Sequence, residues 1–193
     1  MKIKIMDNQE NILNIALNLF TLKGYEAAGV QEIVETANVT KPTLYHYFGS
    51  KRGLLDALLK KYFDVITKKA EEACTYSGDL PFTLTRVTET FFNFAKKNET
   101  FYRMQMAMCF SSTGSEPFIA TKDYNIKLLA LLEKMFLLAS EDHGNMKNRQ
   151  KRYAFTFLGI INSYISLYLN SGIKLNDEAV YSAVHQFSHG IYS

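Results

Sequence analysis

Cysteine is scarce in this chain. Two residues, Cys74 and Cys109, occur in 193, too few and too casually spaced for a disulfide framework or a zinc site. The expectation is a reducing compartment and no metal or other cofactor. Proline is limited to three residues and glycine to ten, and most of them stand between periodic segments. No stretch alternates apolar and polar residues as a half-buried strand does, and there is no repeat or low-complexity run, which leaves helices as the building material. A long apolar run is also lacking. The best, Phe155 to Leu169, is interrupted by Thr156, Asn162, Ser163 and Ser166 and falls short of the roughly 20 residues that span a bilayer. The opening MKIKIMDNQE has no apolar stretch of signal-peptide length. A soluble, cytoplasmic protein with no membrane partner is therefore expected. Neither sign of charge dominates, since the net charge is +3. Residues 1–60 set Lys2, Lys4, Lys23, Lys41, Lys51, Arg52 and Lys60 against Asp7, Glu10, Glu26, Glu32, Glu35 and Asp56. Bulk charge permits nucleic-acid binding without arguing for it, so any phosphate-binding surface must come from local placement.

What is present is ordinary globular material, 47% apolar and 21% charged, enough for one or two domains. The first helix is predicted at about 8–22, capped by Asp7 with Glu10 three residues on in capping-box fashion. Its apolar stripe is Ile12, Leu13, Ala16, Leu17 and Phe20, and Gly24 ends it. A short helix follows from Val30 to Ala37, then one after Thr40, whose hydroxyl suits an N-cap and whose Pro42 suits a first turn. A fourth starts after Ser50 and runs through Leu54, Leu58, Tyr62 and Ile66. Tyr76 to Pro81 is the clearest boundary. Beyond it the pattern predicts helices at about 82–97, 99–110, 117–140, 149–170 and 177–191.

Residues 30–48 are the informative part. Two short helices joined at Asn38-Val39 make a helix-turn-helix-sized unit. Alone this is common in helical proteins, and the content of the second helix sharpens it. Leu44 and Phe48 lie four apart and can anchor the helix, which leaves Lys41, Thr43, Tyr45, His46 and Tyr47 with polar tips. So many donors on so short a helix imply a contacting surface. In such a unit the N-terminal residues of the second helix meet base edges and flanking groups meet phosphates. The bland alternatives are that Tyr45 and Tyr47 are half-buried aromatics and that Lys51-Arg52 is a solvated charge pair.

Residues 8–59 resemble the DNA-binding domain of the tetracycline-repressor (TetR) family. That family runs from an amphipathic helix to a Gly-Tyr/Phe pair, then V-x-x-I-x-x-x-A-x-V, then S-K-G-T-L-Y-x-Y/H-F-x-S/N-K. Here stand Gly24-Tyr25, VQEIVETANV and TKPTLYHYFGSK. The resemblance implies that Lys41, Pro42 and Thr43 sit at the major-groove end, with Lys41 able to donate to guanine. It implies that Tyr45 touches bases or backbone, that His46 and Tyr47 contact phosphate, and that Lys51 binds phosphate beside a helix N-terminus. Two departures stand out. Ala28-Gly29 replaces the usual Ser/Thr before the second helix, and Pro42 replaces the usual glycine, so the operator sequence cannot be carried over from relatives.

The remaining candidates are weaker. His185 and His189 have a metal-ligand spacing, but no third ligand clusters with them, so surface or interface histidines are expected. Cys109 lies in a Met-rich helix and reads as core rather than as a redox switch. The aromatics and flexible methionines of residues 91–110 suit either a core or an adaptable apolar pocket. Phe91, Phe94, Met104, Met108 and Tyr164 are the candidate effector-binding residues. Gly159, which allows close helix approach, and the stripe of Val180, Val184, Phe187 and Ile191 suggest a four-helix dimer seam, the alternative being that both helices cover the chain's own core.

The reading is therefore an all-α protein of about nine helices. Residues 1–52 form a three-helix helix-turn-helix domain and residues 53–193 a ligand-binding and dimerisation domain, with the fourth helix bridging them. The expected function is a homodimeric transcription regulator, a repressor released from a near-palindromic double-stranded DNA operator by a small apolar or aromatic effector. An enzyme is not expected, because no nucleophile–base pair, phosphate loop or paired metal motif is present. A helical scaffold without DNA binding is the other alternative.

Overall fold

The computed structural model describes residues 7–190. Among them are nine α-helices and no strand: α1 (Asn8–Lys23), α2 (Val30–Thr36), α3 (Lys41–Phe48), α4 (Lys51–Ala73), α5 (Leu80–Lys97), α6 (Glu99–Cys109), α7 (Glu116–Asp142), α8 (Gln150–Ser171) and α9 (Asp177–His189). A single 3-10 turn at Gly144–Met146 follows α7. The expected helices are all found, with ends shifted by a residue or two. Ile191, read from the sequence as part of the α9 stripe, lies outside the described residues.

The chain packs as two units. One comprises the described residues up to Phe63 together with Thr100–Asp123, and the other comprises Asp64–Glu99 and the described residues from Tyr124 onward. This is not the division at residue 52 drawn from the sequence, because α6 and the first turns of α7 pack with the N-terminal helices. In that first unit Phe101 stacks on Tyr62 with centroids 4.4 Å apart and meets Phe63 edge-on at 5.5 Å. The Thr21 hydroxyl of α1 donates to the Thr100 carbonyl at 3.1 Å. The α1 stripe of Ile12, Leu13, Ala16, Leu17 and Phe20 is buried. Asp7 caps α1 by accepting from the Gln9 N–H at 3.4 Å, whereas Glu10, which the capping-box pattern turns back on Asp7, pairs with Lys61 of α4 instead.

The second unit is built on α5, α8 and α9 with the rest of α7. Asp79 caps α5 at 2.8 Å to the Phe82 N–H, with Pro81 in the first turn. Leu84, Val87, Phe91, Phe92, Phe94 and Ala95 are buried on α5. Thr83 and Thr88 share that face and donate their hydroxyls to the carbonyls of the capping Asp79 and of Leu84, at 2.7 and 2.9 Å, so their burial leaves no orphaned polar group. Phe136, Phe157 and Phe187 form an aromatic cluster, with Phe157 and Phe187 centroids 4.9 Å apart. Arg86 of α5 donates to the Ala73 carbonyl at 3.0 Å and also to that of Thr75, closing the end of α4 where carbonyls lack helical partners. Cys74 is buried beside it, and that burial pushes its thiol up to about 12, which keeps it protonated and inert.

This packing corrects one reading of the sequence. The sequence suggests a dimer seam on Val180, Val184 and Phe187, with the chain's own core as the alternative, and Val180 and Val184 are 6% and 9% exposed within the single chain. Phe187 packs on Phe136 and Phe157. The α9 stripe serves the chain's own core against α5 and α8. Gly159 differs. It is exposed, and a Cβ there would meet nothing within 4 Å.

Candidate nucleic-acid interface

The helix-turn-helix unit turns at the end of α2. Asn11 of α1 donates through Nδ2 to the Ala37 carbonyl at 2.9 Å, tying the two helices. Asn38 follows with φ 53°, the left-handed conformation that asparagine tolerates better than most residues. The Asn38 N–H returns to the Glu35 carbonyl at 3.1 Å and the Val39 N–H to that of Val34 at 2.9 Å, the paired closure that ends a helix and reverses the chain. Thr40 then caps α3, accepting from the Thr43 N–H at 3.4 Å, and its hydroxyl lies 2.9 Å from that of Thr43. At the start of α2, Gly29 is extended and offers no side-chain cap, as the departure at Ala28-Gly29 implies.

Leu44 is fully buried and Phe48 is 9% exposed. These two side chains hold α3, and the opposite face turns outward. Lys41, Pro42, Tyr45, His46 and Tyr47 are exposed and Thr43 is half-buried. Tyr45 and Tyr47, at 44% and 37%, are surface residues rather than core aromatics. The Tyr47 ring meets that of His46 edge-on at 5.5 Å. One short helix thus presents an ammonium, an imidazole, two phenols and a hydroxyl on one surface, all able to donate to phosphate or base edges.

The α3–α4 junction places the last candidate. Gly49 ends α3 at φ 71°, and Ser50 caps α4 by accepting from the Gly53 N–H at 2.9 Å. At Gly53 a Cβ would stand 2.0 Å from the Phe48 carbonyl oxygen, so α4 can approach the end of α3 this closely only with glycine. Lys51 is half-buried. Its ammonium sits 4.3 Å from the Tyr25 ring centroid and donates to the Glu26 carbonyl at 3.3 Å. Arg52 turns the other way onto Asp56 at 2.9 Å, and that carboxylate raises its pKa. Of the basic pair, Arg52 is spent within α4 and Lys51 faces the α1–α2 turn.

Two participants, Glu116 and Gly53, carry no local signal in the sequence. Tyr25 is buried, with its hydroxyl donating to Glu116 Oε2 at 2.7 Å. Burial, and then that carboxylate, push its pKa well above the usual tyrosine range. Tyr25 was visible as part of the Gly24-Tyr25 pair, but its partner lies far along the chain at the start of α7, where no local signal could reveal it. The contact at Gly53 arises only from the junction of α3 and α4.

The effector candidates divide between the units. Met104 and Met108 are buried in the first, and Phe91 and Phe94 are buried in the second, where Tyr164 is half-buried with its ring 6.1 Å from Phe92. Phe94 lines a cavity of about 670 Å³ between α4 and α5 with Val65, Lys69, Glu72, Arg86 and Lys97. A second cavity of about 480 Å³ is more apolar, walled by Leu80, Leu84, Phe136, Met146, Tyr153 and Phe187 with His143 and His189. The His185 and His189 rings are 4.5 Å apart. Among the described residues no group of three or more His, Cys, Asp or Glu is arranged to hold a metal ion, and no helix is long and apolar enough to cross a membrane.

Residues 12–58 match the family model described as bacterial regulatory proteins, tetR family. The helix-turn-helix transcriptional activator FasR of Mycolicibacterium smegmatis is 27% identical over 184 residues, covering 95% of this chain and 82% of that protein. The N-terminal helices thus match the DNA-binding domain of TetR-family regulators. Two further similarities extend the match. IcaR of Staphylococcus aureus, the negative transcriptional regulator of the biofilm operon icaADBC, is 24% identical over 196 residues, 100% of this chain and 96% of that protein. The solved structure of the regulator FadR from Bacillus subtilis, in complex with stearoyl-CoA, shares the fold with a TM-score of 0.77 at 18% identity, covering 94% of this chain and 98% of that one. The family and these relatives are DNA-binding transcription regulators, not enzymes.

Gly53→Ala tests the junction. Forcing a methyl against the Phe48 carbonyl is expected to cost about 1–3 kcal/mol, as overpacking does, and to weaken DNA binding because α3 shifts. Thermal melting and DNA titration check this, and a variant with unchanged melting temperature and affinity would show that the contact relaxes freely.

Proposed function

We propose that the protein is a ligand-responsive, homodimeric repressor that reads a near-palindromic operator with α3. The observation that carries this reading is the division of α3 into a buried pair, Leu44 and Phe48, and an exposed donor surface of Lys41, Tyr45, His46 and Tyr47. In it Lys41, Pro42 and Thr43 meet the bases, Tyr45 meets bases or backbone, and His46, Tyr47 and Lys51 hold phosphates. Repression is the direction proposed. IcaR is a negative regulator and FasR an activator, so the sign is itself a point for experiment. Lys41→Ala is expected to cost roughly 1–3 kcal/mol and to relax preference at one base position. Lys51→Ala should weaken all sequences alike and lower the salt slope by about one. Titration of operator selected from random duplexes reads both, and wild-type behaviour in both variants would remove the assignment.

The effector proposed is a small apolar or aromatic molecule. The apolar walls of the 480 Å³ cavity support that chemistry. FadR was solved with stearoyl-CoA, so long-chain acyl thioesters are the first compounds to try. An effector acts only by binding the two functional states unequally, and reciprocity requires operator to weaken effector as much as effector weakens operator. A true effector at a hundred times its Kd should raise the melting temperature by roughly 5–10 °C while lowering operator affinity. Stabilisation across a compound screen without any change in operator affinity would leave a plain DNA-binding protein.

The dimer proposed places the two recognition helices roughly 34 Å apart, one DNA turn. Its seam is the outer face of α8 and α9. Phe155, Leu167 and Tyr181 are 54%, 48% and 66% exposed there. Gly159 supports this choice, because a mid-helix glycine costs about 1 kcal/mol relative to alanine and no neighbour in its own chain requires it. Leu167→Arg should give a folded monomer by light scattering, and Val184→Asp an unfolded or molten chain. A Leu167→Arg dimer with unchanged dissociation moves the seam elsewhere.

A further inference from the structure

Two contacts inside the first unit hold Lys51, and a third group fastens the ring beneath it. The Tyr25 ring lies under its ammonium, 4.3 Å from Nζ to the centroid, and the neighbouring Glu26 carbonyl accepts from it at 3.3 Å. Tyr25 is 4% exposed and meets Phe20 edge-on at 5.2 Å. A phenol so deeply placed loses water as a partner, and leaving its hydroxyl unpaired would carry the full desolvation penalty. Glu116 supplies the acceptor at 2.7 Å. As the first residue of α7, its carboxylate is favoured there by the helix N-terminus.

We propose that Glu116 is a positioning residue for the DNA phosphate contact: it fixes Tyr25, and Tyr25 with its backbone neighbour fixes where the Lys51 ammonium stands. This rests on the phosphate role of Lys51 proposed above. A lysine ammonium has three donors on a flexible stem. Held by a ring face and one carbonyl, it keeps donor capacity for a phosphate oxygen and loses less freedom when DNA arrives. The opposite expectation follows if Glu116 acts only by its charge. A carboxylate close to a phosphate site repels DNA, so its removal would then tighten binding.

The test is operator affinity as a function of salt, on the full chain, with circular dichroism confirming that each variant is folded. Tyr25→Phe, which keeps the ring, and Glu116→Ala are each expected to weaken operator binding about five- to tenfold, with the salt slope falling toward that of Lys51→Ala. Glu116→Gln, whose amide oxygen can still accept from Tyr25, should stay within about twofold of wild type. Placed on top of Lys51→Ala, neither Tyr25→Phe nor Glu116→Ala should weaken binding further, the non-additivity expected of residues acting through one another. Tighter binding by Glu116→Ala at unchanged slope would overturn the proposal in favour of simple charge repulsion. Full losses persisting in the Lys51→Ala background would overturn it in favour of a route that bypasses the lysine. Should Lys51→Ala itself leave affinity and slope untouched, the phosphate reading fails and this inference fails with it. If Glu116→Ala does not fold, Tyr25→Phe with and without Lys51→Ala decides the matter.

Discussion

An isolated helix of eight residues does not hold its shape in water, because the cost of nucleation is spread over too few hydrogen bonds. α3 is such a helix, and it carries most of the donor surface proposed to meet DNA. Its existence depends on two apolar side chains, Leu44 and Phe48, buried against the neighbouring helices. Around that anchorage the remaining constraints follow. Thr40 caps one end, Asn38 takes the left-handed turn that leads into it, and Gly53 lets the first turn of α4 close against the Phe48 carbonyl. With the inner face so fixed, the outer face has no freedom of register. Lys41, Tyr45, His46 and Tyr47 are exposed because Leu44 and Phe48 are not.

The weak net charge shows how recognition of a polyanion can be local. The first sixty residues are barely basic, and two of their cations are tied to carboxylates, Lys23 to Glu32 and Arg52 to Asp56. Lys51 is handled differently. It rests on an aromatic face and a carbonyl, partners that orient an ammonium without neutralising it. A cation so held keeps its charge available to phosphate. The phenol beneath it is fastened by a carboxylate on α7, a helix that continues to Asp142.

In the second unit, apolar surface is allotted between a core and a face left outward. The buried side of α9 serves α5 and α8, and the aromatic cluster of Phe136, Phe157 and Phe187 closes the interior. What remains outside on α8 and α9 is a different set, Phe155, Leu167 and Tyr181, with an exposed glycine at 159. An apolar stripe on a helix says that something covers it. It does not say whether the cover belongs to the same chain.

That distinction marks what the sequence by itself determined. Periodicity, caps and breakers located nine helices, because these are local properties of 3.6-residue spacing and backbone hydrogen bonding. The anchor pair Leu44 and Phe48 and the outward donors of α3 were legible for the same reason: a helix assigns faces by spacing alone. Only the tertiary structure decided which helix covers which stripe. It gave Val180, Val184 and Phe187 to the core, packed α6 with the N-terminal helices, and drew Glu10 to Lys61 rather than to its own cap. It also joined Tyr25 to Glu116 and brought Gly53 against the Phe48 carbonyl. Each of these is a contact between residues distant in the chain, or an approach of two backbones. Such contacts are set by the packing of whole helices, about which a local pattern carries no information.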